Sequence, residues 1–291
     1  IPGGEELPGF EILPATPTEI PVETVLPVAT PAVPVMLAMS QDIDLSQATT
    51  VITIEQDGEY TFTGTWDESN SPYYGTDGHV ITVKENVKAD ITFQGVTIKN
   101  SNYYGYHNVV NLEAGAKVTL TLAGINQLID SSVSGAAIHV PSGATLTIKG
   151  GEDDRLLVRS RSYGAGIGGN SNEGAGTIII NGGNIYATAG YTEDDEILST
   201  IYSSAAGIGG GEGNNAGTIE IHGGSVLARS AKSAGIGDGK NNLANNFTVY
   251  TESEIARIGI RGSENAKEIK VLANSSQKIT DQGTIVQVEY G

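Results

Sequence analysis

The sequence predicts an all-β fold, a right-handed single-stranded parallel β-helix with three strands in each coil. The first observation is a repeat of one apolar marker residue at steps of 29, 28, 29, 41 and 28 residues: Ile81, Val110, Ile138, Ile167, Ile208 and Ile236. The second is near identity between copies, since residues 165–169 and 206–210 both read AGIGG and residues 234–238 read AGIGD. A fixed period of this length is typical of a solenoid.

The repeat defines about 7 coils of roughly 28–29 residues, with an insertion of about 12 residues in the longest step. Each coil is predicted to hold a first strand with the marker residue, such as 80–83, a strongly β second strand, such as 145–148, and a third, such as 184–187. The second strand alternates clearly, with Leu146 and Ile148 directed inward and Thr147 outward. Alternation with a period of two indicates strands that are buried on one face.

The two ends of the chain differ from the regular coils. Residues 1–40 contain eight of the ten prolines and are predicted to form an extended segment or linker, followed by a β-helix domain over residues 41–291. Asp57-Gly58 separates two β-rich runs, 51–54 and 60–63, in the manner of a hairpin turn. The last coil is degenerate, which is expected of a capping coil, and 270–272 and 285–289 are predicted as closing strands.

Composition excludes several classes of function. The net charge is -18, so binding to nucleic acid or to an anionic lipid surface is disfavoured. The chain has no Cys, which excludes disulfides, thiolate metal sites and a Cys nucleophile. No apolar run is long enough for a membrane-spanning helix, so no membrane insertion is expected. Oligomeric state is left open by the sequence.

A family resemblance rests on five segments of the repeat: 51–66 (VITIEQDGEYTFTGTW), 81–101 (ITVKENVKADITFQGVTIKNS), 135–151 (GAAIHVPSGATLTIKGG), 163–170 (YGAGIGGN) and 176–190 (GTIIINGGNIYATAG). Together they resemble the β-helical carbohydrate-binding domains of Gram-positive bacterial surface proteins. The resemblance covers about residues 50–260. It implies an architecture related to polysaccharide lyases, an extracellular or cell-surface location, binding of a cellulose- or pectin-like polysaccharide, and frequent use of calcium.

Aromatic residues recur in the turn before the first strand of each coil. Stacked coils would superpose these turns into one edge, and flat rings suit the apolar faces of sugar rings. The predicted carbohydrate-binding residues are Trp66, Tyr73, Tyr74, Tyr103, Tyr104, Tyr106, Tyr163 and Tyr202. The alternative is that these rings pack against insertions or against residues 1–40.

Two acidic runs are candidate calcium sites, because clustered carboxylates are the ligands that this hard cation prefers. Glu152, Asp153 and Asp154 interrupt a corner between a second and a third strand, and Glu193, Asp194 and Asp195 lie in the insertion. The alternative is a solvated charge run, and no calcium-loop motif is present to favour the metal.

The sequence favours a non-catalytic polysaccharide-binding module over an enzyme, and names no catalytic residue. A polysaccharide lyase or glycoside hydrolase on the same fold is the first alternative, for which Arg155, Arg159 and Arg161 near the 152–154 run form the best grouping. A structural stalk or adhesin domain is the second. The fold by itself does not decide among the three.

Overall fold

The computed structural model describes residues 39–48, 50–67, 78–100, 105–190, 204–230, 233–239, 247–250, 257–261, 269–272 and 285–287. The predicted linker 1–40 therefore lies outside the described residues except for its last two positions. Within the described ranges the fold is all-β, and the one helical element is a short 3-10 turn, Leu45–Gln47. The fold class predicted from the repeat is confirmed.

The first strands of the coils form a seven-stranded parallel sheet, the first-strand sheet. Its members are β2 (Ile52–Ile54), β4 (Ile81–Val83), β6 (Val110–Leu112), β9 (Ile138–His139), β12 (Ile167–Gly168), β15 (Ile208–Gly209) and β18 (Ile236–Gly237). The marker residues pair with one another across this sheet, so Ile138 lies beside Val110 and Ile167 beside Ile138. The repeat found in the sequence is therefore the stacking register of the solenoid.

The second and third strands join into one 15-stranded sheet. The second strands are β3 (Gly58–Asp67), β5 (Lys88–Asn100), β7 (Lys117–Ala123), β10 (Thr145–Lys149), β13 (Thr177–Ile180), β16 (Thr218–Ile221), β19 (Phe247–Tyr250) and β21 (Ile269–Leu272). The third strands are β8 (Ile125–Asp130), β11 (Arg155–Ser160), β14 (Asn184–Ala189), β17 (Ser225–Ser230) and β20 (Arg257–Arg261). Strand β5 turns the corner without interruption, since its first half pairs with β7 and its second half with β8.

Two strands close the ends of this sheet. At one end β1 (Met39–Asp44) pairs in parallel with β3, and at the other β22 (Ile285–Gln287) pairs antiparallel with β20. The structure describes five complete coils with their side chains, from β4 to β17. The sequence predicts about 7 coils. The strands β2 and β3 precede these five coils, and β18 to β20 continue their register.

The core is a continuous stack of apolar side chains in which each coil covers the next. The inward residues of the second strands are fully buried, as the alternation predicted: Ile91, Phe93, Leu146, Ile148, Ile178, Ile180, Ile219 and Ile221. The rings of Phe62 and Phe93 meet edge to face at 5.7 Å between centroids. Each buried Ile or Phe stabilises the fold by roughly 1.5–3 kcal/mol relative to exposure.

The predicted hairpin at Asp57-Gly58 is wrong. Strand β2 pairs with β4, whereas β3 pairs with β1 and β5, and all of these pairs are parallel. Both strands find partners in neighbouring coils rather than in each other, so Asp57-Gly58 forms a corner between two sheets. The side chain of Asp57 strengthens that corner by accepting a hydrogen bond of 2.8 Å from Lys88 N in the next coil.

Candidate functional site

The tyrosine-rich edge is described in part. Trp66 is only 5% exposed and packs in the core, because its position on β3 pairs with the buried Ile98 of β5. It offers no stacking surface, and the prediction for Trp66 is corrected accordingly. Five of the predicted residues lie outside the described residues: Tyr73, Tyr74, Tyr103, Tyr104 and Tyr202.

Tyr106 is the exposed aromatic residue of this edge, with 51% of its surface accessible. It projects from a turn that is held firmly, because the adjacent His107 is buried and bonded on two sides. His107 Nδ1 accepts from Gly78 N at 3.1 Å, and His107 O accepts from Ser132 Oγ at 3.0 Å. Tyr163 is half-buried, and its backbone bonds to Val133 O and Glu212 N.

The acidic corner 152–154 contains one carboxylate that accepts backbone hydrogen bonds and two carboxylates that are exposed to solvent. Asp154 accepts from Gly124 N at 2.7 Å and from Gly151 N at 2.7 Å, and these backbone hydrogen bonds hold the pKa of its carboxyl below the usual range. Glu152 and Asp153 are exposed. Glu193, Asp194 and Asp195 lie outside the described residues, and within the described part no group of three metal-ligating side chains occurs.

A different surface brings together the residues that suit ligand binding. The third strands β8, β11, β14 and β17 pair side by side, so their outward residues form columns that run from strand to strand. We call this surface the arginine face. Its middle column consists of Gln127, Leu157, Tyr186 and Leu227, and its cation column, extended onto β5, of Lys99, Ile129, Arg159, Thr188 and Arg229. The remaining column consists of Ile125, Arg155, Asn184 and Ser225.

Exposure differs across the arginine face. Tyr186 is 36% exposed and Ile125 is 66% exposed, while Leu157 and Leu227 are half-buried on either side of Tyr186. Ile129 and Thr188 are buried, so the cation column lies on the more covered side. The face is thus an apolar strip that is open to solvent along one side and lined by cations.

The charge of this face is opposite to that of the chain. The single acidic residue within the four strands β8, β11, β14 and β17 is Asp130, which is buried and accepts from Ser132 N and Ser132 Oγ. The four strands themselves therefore contribute no outward carboxylate to this face. In contrast, Lys84 at a corner of the first-strand sheet contacts Glu113 at 2.6 Å.

A second polar centre lies on the outer side of the first-strand sheet. His139 and Asn111 are neighbours in the register of β9 and β6, and both are buried. His139 Nδ1 lies 2.7 Å from Asn111 Oδ1, and His139 Nε2 lies 2.8 Å from Glu173 Oε2. The loop 169–176 that carries Glu173 is held over this centre by the bridge between Pro141 and Ala175. The hydrogen bond from His139 lowers the pKa of Glu173.

Sequence reasoning missed the arginine face, although its signal was present. The third strands were predicted, but their outward positions were not aligned from coil to coil. Such an alignment places Leu157, Tyr186 and Leu227 in one column. Tyr186 is on strand β14 rather than in a turn, so the aromatic pattern of the turns does not include it.

Comparison with known proteins supports the fold and goes no further. Residues 178–212 and 219–240 match a family model described as a beta helix repeat, and these segments contain most of β13 to β18. No curated protein and no solved structure gave a significant match. Among the described residues, no helix is long and apolar enough to cross a membrane. The fold and the repeat together place this chain in the class of parallel β-helix repeat proteins.

Proposed function

We propose that this chain is a non-catalytic polysaccharide-binding module of a secreted or cell-surface protein. The observation that carries the proposal is the position of Tyr186, exposed in the middle of a row with Leu157 and Leu227 one strand away on either side. Neighbouring strands are about 4.8 Å apart, so the three side chains form a continuous strip. Such a strip suits the apolar face of a sugar chain, and the tyrosine hydroxyl adds a hydrogen bond.

Rigidity favours this surface for binding. Each strand of the arginine face is hydrogen-bonded to a strand on both sides, and the inward residues beneath it, such as Leu156 and Ile185, are fully buried. The strip is therefore formed before a ligand arrives. Little conformational entropy is lost on binding, which supports useful affinity from a modest contact area.

We propose the tyrosine-rich edge as a second surface that contacts the polysaccharide, through Tyr106 and the half-buried Tyr163. A calcium ion at the corner 152–154 is also retained, with Glu152 and Asp153 as the exposed carboxylates. We propose a cellulose- or pectin-like polymer as ligand, in line with the family that the sequence resembles.

The test is retention on insoluble cellulose, pectin, chitin and xylan, with Tyr186→Ala and Tyr186→Phe beside the full wild-type chain. Loss of the ring is expected to weaken retention about fivefold to tenfold, because an aromatic contact contributes about 1 kcal/mol beyond its buried area. Tyr186→Phe keeps the ring and is expected to retain most of the binding. Val51→Ala, at an exposed apolar residue directly before strand β2 and away from the arginine face, is the matched control.

The same experiment separates the alternatives when the supernatants are read for unsaturated or reducing products. Product release would make the chain a lyase or hydrolase, with Arg155, Arg159 and the corner 152–154 as the first residues to test. No retention and no product would leave a structural stalk or adhesin domain. Retention without product supports the binding module.

A further inference from the structure

We propose that the arginine face binds a linear glycan that carries carboxylate or sulfate groups, through its basic side chains and without calcium. The inference rests on the proposed function and names the ligand class for the same surface. It follows from where the basic residues lie, from what they contact, and from their spacing along the solenoid.

The distribution of arginine is the first observation. The chain contains six arginines among 16 basic residues, and all six lie in or directly after third strands. They are Arg155, Arg159 and Arg161 at β11, Arg229 in β17, and Arg257 and Arg261 in β20. The register places Arg261 beside Arg229. A chain with 34 acidic residues and a net charge of -18 thus concentrates its arginines at the third strands of the coils.

The second observation is the absence of ion pairs at three cations of this face. The side chains of Lys99, Arg155 and Arg229 make no ion pair with the described residues. Arg229 is half-buried, and its Nε is shielded from solvent without a hydrogen-bond partner. A shielded, unpaired N–H donor is unfavourable by about 1–3 kcal/mol. An anionic group that approaches the guanidinium would gain from the lowered local dielectric constant.

Spacing is the third observation. From β5 to β17 the basic residues of the cation column occupy alternate strands, with Lys99 on β5, Arg159 on β11 and Arg229 on β17. The next strand, β20, adds Arg261 directly beside Arg229. Two strands correspond to roughly 9.6 Å. In an extended glycan with two-fold screw symmetry, successive residues turn their substituents to opposite sides. Every second residue therefore presents its anionic group to the same side, in step with the alternate strands.

The side chains fit this arrangement chemically. The apolar middle column would contact the sugar rings while the neighbouring guanidinium groups bind the anionic substituents. Arginine offers a planar pair of N–H donors that matches a carboxylate or sulfate, whereas lysine offers a compact point charge. The chain therefore uses arginine where a fixed geometry is needed, and most of its lysines lie elsewhere.

The experiment measures binding of the full chain to polygalacturonate and to dextran sulfate in EDTA, with dextran and cellulose as neutral probes. The double variant Arg155→Gln/Arg229→Gln is expected to lose about tenfold or more in affinity for the anionic probes, as two charge-assisted hydrogen bonds are removed. Its retention on cellulose should fall much less, because the apolar middle column remains intact. Arg155→Lys/Arg229→Lys is expected to recover part of the anionic binding.

Lys88→Gln/Lys117→Gln is the matched control, because it removes the same charge from exposed residues of the second strands β5 and β7. The proposal is overturned if the control weakens anionic binding as much as the arginine variant. It is also overturned if EDTA abolishes binding to the anionic probes, which would assign it to calcium. Retention of neutral probes alone would remove this inference and leave the proposed function intact, and retention of no glycan would remove both.

Preference between the two anionic probes identifies the source of the charge. Stronger binding of polygalacturonate selects a uronic acid polymer, and stronger binding of dextran sulfate selects a sulfated one. Either result supports the inference when it depends on Arg155 and Arg229 and weakens with added salt, as exposed ion pairs do.

Discussion

His139 Nε2 lies 2.8 Å from Glu173 Oε2, a contact between residues 34 positions apart in the chain. Through it, a loop of one coil is fastened to the outer surface of the preceding coil. The opposite ring nitrogen lies 2.7 Å from Asn111 Oδ1 in the coil before that. One imidazole therefore links three successive coils, on a surface where the later coils have only glycine at the equivalent strand position.

The first prediction concerns acid stability. The hydrogen bond from His139 lowers the pKa of Glu173 below its ordinary value of 4.5. A carboxyl with a lowered folded-state pKa stabilises the protein above its unfolded value, and that stabilisation is lost as the pH falls through the lowered value. Glu173→Gln is therefore expected to lower the Tm at neutral pH and to have little effect in strong acid.

The magnitude should be below about 1 kcal/mol, since the Glu173 side chain is 48% exposed and solvent screens the interaction. Thermal unfolding across this pH range measures it. Glu212→Gln is the control, because Glu212 occupies the corresponding loop of the next coil and contacts no imidazole among the described residues. If the Tm of both variants depended on pH in the same way, the loss of stability in acid could not be assigned to the contact between Glu173 and His139.

The second prediction concerns the protonation of individual imidazoles. In His79 and His107 the Nδ1 atom accepts a backbone N–H, from Asn108 N and Gly78 N respectively, so each ring must carry its proton on Nε2. His139 instead faces two oxygen acceptors, and only the doubly protonated ring donates to both. Nitrogen-15 NMR should therefore show the Nε2-protonated tautomer, with an unprotonated Nδ1, in His79 and His107, and an Nδ1 proton in either ring would contradict these backbone contacts.

The third prediction concerns the glycine column at the end of the short first strands. Gly209 has a φ of +131°, and a Cβ there would lie 2.1 Å from Gly237 O in the next coil. Gly209→Ala is expected to destabilise the fold by well over 1 kcal/mol, from backbone strain together with separation of the coils. Urea unfolding measures the effect.

Gly151→Ala is the matched control for that substitution. Gly151 has no positive φ, and the nearest atom to its added Cβ would be a side-chain oxygen of Asp154 at 3.2 Å. Its cost is expected to be small. Comparable losses at Gly209 and Gly151 would mean that close stacking of the first strands contributes little to stability.

The sequence predicted most of the fold because the repeat reports stacking directly. The marker residues and the inward Ile and Leu residues recur at one period, and each is buried where the alternation placed it, as Ile148 and Ile180 illustrate. The local signal at Asp57-Gly58 failed for a physical reason. A turn motif specifies a change of chain direction but not the partner of the strands beside it. Here both strands pair in parallel with strands of neighbouring coils instead of with each other.

The functional surface was predicted less well, because exposure depends on register rather than on residue type. Trp66 has the kind of side chain that binds sugars, yet its position on strand β3 directs it into the core. The aromatic pattern of the turns does not include Tyr186, although its neighbours in the adjacent coils are 29 positions before it and 41 positions after it, as the repeat requires. Contacts such as His139 with Glu173 depend on how a loop folds back, which the repeat does not encode.

The last prediction concerns calcium at the corner 152–154. Asp154 already accepts two backbone hydrogen bonds, so its first role is to fasten this corner to Gly124 of the preceding coil. If Glu152 and Asp153 bind calcium beside it, the ion should raise the Tm of the wild type, because a ligand that binds only the folded state stabilises it. Glu152→Gln/Asp153→Asn should abolish that rise while leaving the Tm in EDTA unchanged. Asp154→Asn, in contrast, should lower the Tm with or without calcium. A wild-type Tm that is the same in calcium and in EDTA would leave Asp154 as a structural cap and remove the metal from this corner.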